Sequence, residues 1–175
     1  CLLLVLSLLT STAFAADFSD LVILHTNDTH GYDQRSDADG VNGMAAVAGL
    51  RDELLAQGKH VLLLDAGDAI QDNNLVNFSK GASAIAFMNA VGYDAMCLGN
   101  HEFDYGQDVT LARIREARFP MMACNIVVEA TGELFAQPVT IVRKGDHKIG
   151  IVGITTPEAA TSASPMAVAG LKFLQ

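Results

Sequence analysis

The sequence predicts an α/β fold with mostly parallel strands, followed by an antiparallel hairpin. Three observations predict it. Short apolar runs of strand length recur before Pro138, stretches with apolar residues at helical spacing separate them, and beyond Pro138 two apolar runs face each other across a tight turn. Strands alternating with helices imply right-handed crossovers and a largely parallel sheet.

Each element follows from its residues. Leu21–Thr26 (LVILHT) reads as a strand buried on both faces, running into polar Asn27 and Asp28. Met44–Leu55 places Val47, Leu50 and Leu54 at helical spacing, and Gly58 supplies the stop. Val61–Leu64 is a second buried strand ending in Asp65-Ala66-Gly67-Asp68. Ser79 precedes a helix through Ala90, with Gly92 just past its end. Asp94–Leu98 is a third strand, and Gly99-Asn100-His101-Glu102-Phe103-Asp104 follows it. Asp108 reads as the N-cap of a helix through Arg118, before a fourth strand at Met121–Cys124. Finally, Val139–Arg143 and Lys148–Ile154 flank the turn Lys144-Gly145-Asp146-His147 as a hairpin. His25 reads as a core histidine, and no role is assigned to it, to His60 or to His147.

With 175 residues, 50% of them hydrophobic, the chain can bury one substantial core, so it is one domain or part of one. A formal charge of −9 argues against a sequence-independent grip on a nucleic-acid polymer, which needs clustered Lys and Arg. A phosphorylated ligand would therefore need a local positive centre, and divalent cations supply one. Residues 1–15, CLLLVLSLLTSTAFA, form an uncharged apolar run ending in small residues, which reads as a signal peptide cleaved after Ala15. No basic segment precedes it and Cys1 stands first, so its upstream end is expected to be missing. The expected location is periplasmic, cell-surface or secreted, with no membrane span after cleavage. Of the cysteines beyond that run, Cys97 and Cys124 lie in apolar stretches and are expected to be unpaired thiols.

The chemistry lies at the strand ends. In open parallel sheets ligands bind outside the carboxyl ends of the strands, and here three such ends deliver Asp28-Thr29-His30, Gly67-Asp68 and Asn100-His101. On extended backbone, side chains two apart point the same way, so Asp28 and His30 can share one cation while Thr29 points away. Asp68, behind a glycine that permits a tight turn, has two oxygens and can bridge two metals. Asn100 would add an amide oxygen to the second ion. His101 should project differently and face the substrate, with Asp104 holding its ring, to stabilise phosphoryl charge or protonate the leaving oxygen. Two divalent cations there would activate water as the nucleophile. At any single loop position an aspartate reads as a cap or turn residue; the recurrence at successive strand ends reverses that reading.

The blocks ILHTNDTHG, LLLDAGDAIQ, VGYDAMCLGNHEFDYG and KIGIVGITTPE, in this order and spacing, closely resemble the calcineurin-like metallophosphoesterases, and within them the 5′-nucleotidase family. The resemblance implies a layered α/β/β/α sandwich, two divalent metal ions such as zinc or manganese, and a nucleotide or other small phosphoester as substrate. It implies Asp28 and His30 on the first metal, Asp68 bridging, Asn100 on the second, and His101 with Asp104 as the catalytic pair. It also implies that residues 16–175 are the N-terminal part of a catalytic domain whose remaining metal-binding histidines, and a C-terminal nucleotide-binding domain, lie outside this chain, so that this part alone is inactive. One departure stands out: where the family often has Gln-Gly after the bridging aspartate, Gln71 is followed here by Asp72. Two other readings stay open, a related metallophosphoesterase with a different substrate and an exported metal-binding protein without catalysis. The pairing of His101 with Asp104 argues against the second, and no protein partner is expected.

Overall fold

A computed structural model describes residues 18–38, 40 and 42–175. The apolar run at residues 1–15, with its cleavage site, lies outside the described residues. The parallel sheet has the order β1-β2-β3-β4, formed by Leu21–Thr26, His60–Asp65, Ala95–Cys97 and Met121–Met122. Leu21 pairs with His60 and Thr26 with Asp65, so β1 and β2 end level and release their loops side by side.

Helices α1 (Gly43–Ala56), α2 (Asn74–Ser79), α3 (Ala82–Val91) and α4 (Gln107–Glu116) connect these strands. Gly58 and Gly92 both adopt positive φ just past a helix end, as glycine does where a chain must leave a helix abruptly. The core gathers Leu63 and Met96 from the strands, Ile85, Met88 and Val91 from α3, and Leu98 and Phe103 from the chain after β3. Two helix starts differ from expectation. Gly106 takes the N-cap of α4, leaving Asp108 in the first turn, where its charge still favours the helix dipole. Ser79 closes α2, although its Oγ accepts the Ser83 N–H at 3.2 Å and so also serves the start of α3.

β1 is not buried on both faces: Ile23 is 58% exposed and His25 is exposed with it. Alternation places these two side chains on the same face of the strand. Beyond β4 the chain forms β5 (Ile126–Val128), which pairs antiparallel with β8 (Leu171–Phe173), and a hairpin of β6 (Val139–Lys144) and β7 (His147–Val152). A short helix, α5 (Ala159–Ser162), precedes β8. The hairpin is where the sequence placed it. It is tied to the strand starts by Asp20, whose carboxylate lies 2.7 Å from His147 Nε2 and 3.4 Å from His60 Nε2, and by Lys144 Nζ, 2.7 Å from Asp94. Val139, Ile141, Val152 and Ile154 point outward as an exposed apolar surface. Cys97 and Cys124 are free thiols, as expected.

Candidate metal centre

Three loops leave the carboxyl ends of β1, β2 and β3 and interlock. Pairing continues past the strands: the N–H groups of Asp28, His30 and Gly31 donate to the carbonyls of Gly67, Asp68 and Ala69 at 2.9, 3.0 and 3.1 Å. Asp28, His30 and Asp68 sit at φ 51, 48 and 60. The extended geometry expected for Asp28-Thr29-His30 is therefore replaced by left-handed backbone, which costs about 1–2 kcal/mol per non-glycine residue. The two side chains nevertheless stand near each other, with His30 Nε2 3.9 Å from Asp28 Oδ1. Thr29 turns its hydroxyl inward, where no hydrogen-bond partner stands among the described residues.

Two glycines let the loops after β2 and β3 touch. A Cβ on Gly67 would stand 2.6 Å from the Gly99 nitrogen, and one on Gly99 would collide with the Asp68 carboxylate. The carboxylate of Asp68 accepts the backbone N–H of His101 at 2.9 Å. Asn100, half-buried, opens the 3₁₀ turn His101–Phe103. On that turn His101 Nδ1 lies 2.6 Å from Asp104 Oδ2. Burial alone would lower the basicity of the His101 imidazole, but the hydrogen bond to Asp104 and the charges of Asp104, Asp68 and Asp72 outweigh it and raise its pKa above the ordinary histidine value.

The donor set fits a divalent cation. His30, Asp68 and His101 each bring one ligand atom within 4.8 Å of the others, Asp28 stands beside His30, and the donors are nitrogen and oxygen, as a transition metal accepts. Within this cluster His101 is the member whose Nδ1 is paired with Asp104.

Sequence reasoning missed the acids that shape the loops. Glu102 is fully buried and accepts three backbone N–H groups, from Gly99 at 2.6 Å and from Asp68 and Ala69 at 2.9 Å each. Asp65 accepts the Gly67 N–H at 2.8 Å and the Thr26 hydroxyl at 2.6 Å. Three consecutive N–H groups of the Asp68 loop are thus held by two buried carboxylates. Burial pushes both acids up to about 7, against the pull of the N–H donors. The signal for Glu102 was present, an acid directly after Asn100-His101, but its partners are main-chain groups with no sequence signature. Asp33, also missed, is buried with both oxygens unpartnered among the described residues, and burial raises it to about 6.

Comparison with known proteins accords with this geometry. The chain is 38% identical over 164 residues to snake venom 5′-nucleotidase of Gloydius brevicauda, covering 86% of this chain and 28% of that protein. It is 36% identical over 169 residues to Protein UshA of Escherichia coli, covering 94% of this chain and 30% of that protein. The crystal structure of a 5′-nucleotidase precursor from Thermus thermophilus superposes with a TM-score of 0.75 at 31% identity, over 87% of this chain and 31% of that one. The chain thus spans less than a third of the length of these relatives. Residues 21–152, which carry all three loops, match the calcineurin-like phosphoesterase model, and the chain belongs to that family.

Proposed function

We propose that this chain is the N-terminal part of the catalytic domain of an exported 5′-nucleotidase, a two-metal phosphohydrolase that releases phosphate from nucleoside monophosphates. The observation that carries the reading is that three strand-end loops bring His30, Asp68 and His101 within 4.8 Å of one another, His30 and Asp68 standing as ligands and His101 beside them toward the substrate. The relatives named 5′-nucleotidase support the substrate class. Asp28, His30, Asp68 and Asn100 would hold the divalent cations, with the Asp68 carboxylate, which has two oxygens, able to serve both. Two divalent ions there supply the positive charge and the activated water that phosphoester hydrolysis needs. His101, oriented through Nδ1 by Asp104, presents Nε2 to the phosphoryl group, where its raised basicity suits it to stabilise negative charge or to protonate the leaving oxygen.

Export rests on the apolar run ending at Ala15, and N-terminal sequencing of the mature protein should find the chain beginning after it; an intact leader refutes export. Among the described residues no helix is long and apolar enough to cross a membrane. On this reading the remaining metal ligands and a nucleoside-binding domain belong to the rest of the protein, which is supported by relatives more than three times as long as the matched region. To test the activity, the intact protein is stripped with chelator and assayed for phosphate release from adenosine monophosphate. Loss of activity that returns with manganese or zinc is expected, and activity that survives verified metal removal overturns the reading.

A further inference from the structure

Asp72 occupies a position built for glycine. Its φ is 85, in the left-handed region where a side chain is strained and glycine is not. The turn itself makes no use of the side chain: the Asp72 N–H donates to Asn77 Oδ1 at 3.0 Å and its carbonyl accepts from Asn77 Nδ2 at 3.2 Å. Glycine would provide both groups equally well. The carboxylate instead reaches back to the first loop, where its Oδ2 lies 3.2 Å from His30 Nδ1. That nitrogen is buried, and the ring is turned so that no hydrogen bond is completed among the described residues. The opposite nitrogen, Nε2, faces Asp28 Oδ1 at 3.9 Å.

A histidine that binds a metal through one nitrogen needs its proton on the other, and a carboxylate beside that second nitrogen fixes both tautomer and ring orientation. We propose that Asp72 is the positioning residue for His30: when a cation binds, the ring turns so that this carboxylate accepts the Nδ1 proton and the Nε2 lone pair is left free for the cation shared with Asp28. This rests on the assignment of His30 as a metal ligand. It explains why an acid stands where the backbone favours glycine. The strain of the left-handed conformation is offset by a function that glycine cannot supply.

The test separates the two assignments. In the intact protein, Asp72→Gly, Asp72→Asn and His30→Ala are compared with wild type for manganese and zinc affinity, by competition with a chromophoric chelator, and for melting of the metal-free form. Asp72→Gly should melt at the same or a higher temperature than wild type, because backbone strain is relieved, yet bind the tighter ion about 10-fold to 100-fold more weakly. Asp72→Asn tolerates the same backbone and keeps an acceptor oxygen, so it should recover part of that loss. Proton–nitrogen NMR of the zinc-loaded wild type should show His30 protonated at Nδ1, and Asp72→Gly should lose that fixed tautomer. Wild-type affinity in Asp72→Gly overturns the proposal. So does a loss in both Asp72 variants equal to that of His30→Ala, which makes Asp72 itself a ligand. Unchanged affinity in His30→Ala removes the ligand assignment, and the proposal with it.

Discussion

Replacing Glu102 by glutamine tests the argument that a buried acid shapes the metal loops. The carboxylate meets three backbone N–H groups on two oxygens, Asp68 and Gly99 on Oε2 and Ala69 on Oε1. Glutamine can place its one oxygen against the Asp68 and Gly99 pair, and its NH2 group then faces the Ala69 N–H, donor against donor. The protonation state does not rescue it. Burial pushes the acid up to about 7, but a protonated carboxyl still offers acceptor lone pairs at both oxygens, whereas an amide nitrogen offers none. One orphaned buried N–H costs about 1–3 kcal/mol. Where a cooperative unit of about 150–250 residues unfolds on its own, that lowers its melting temperature by about 2–12 °C. Glu102→Ala orphans all three N–H groups and adds a cavity, a loss of about 3–9 kcal/mol, which is comparable to a whole domain's stability. The assay is thermal unfolding of the metal-free intact protein, followed by metal titration. Because the same N–H groups fix the Asp68 backbone, Glu102→Gln should also weaken metal binding. A variant that melts at or above the wild-type temperature would show that relief from burying an acid outweighs the three hydrogen bonds, and the positioning argument would fail.

His101→Ala should lower turnover about 100-fold or more while leaving metal content near wild type, whereas Asp68→Ala should strip metal first; elemental analysis beside kinetics decides, and a His101 variant emptied of metal would reassign that residue as a ligand. Asp33 gives a pH signature. Its folded pKa, raised to about 6 by burial, lies above its unfolded value, so the charged form burdens the fold as pH rises from about 4 through 6. Asp33→Asn should therefore melt higher than wild type at neutral pH, with an advantage that shrinks as acid protonates the wild-type group. A melting difference that does not change with pH would show that Asp33 has a partner in solution.

The long elements were legible because their periodicity is local. Leu21–Thr26 could be read as a strand from its short apolar run, and the hairpin from two such runs about a tight turn. The pieces that escaped notice depend on distant partners. β5 and β8 have three residues each, and each is a strand only because Ile126 meets Phe173 across the intervening chain. α2 has six residues, too few for helical periodicity to register. His25 looked like core because its strand is apolar, yet exposure depends on what covers a face, and a strand's own sequence does not say what lies above it. At the site, the acids and histidines were legible as ligand types at successive strand ends, whereas the left-handed backbone that aims them was not. Asp28, His30 and Asp68 carry no signal of positive φ. Gly67 and Gly99, which let the two loops touch, are the residues that mark their crossing.

That backbone also explains why the acids are arranged in two tiers. Three left-handed non-glycine residues together cost about 3–6 kcal/mol, and such strain persists only where the surroundings over-determine it. Asp65 and Glu102 supply that constraint by taking the N–H groups of Gly67, Asp68 and Ala69 out of competition with any other turn. They do so at an electrostatic cost, since Asp65 feels the charges of Glu102 and Asp28, and Glu102 feels Asp68. Cations bound to Asp28 and Asp68 would relieve that repulsion in both tiers at once. With those cations bound, metal binding and loop stability would be one coupled equilibrium, and the loss of an inner acid should be felt in metal affinity at outer side chains it never touches.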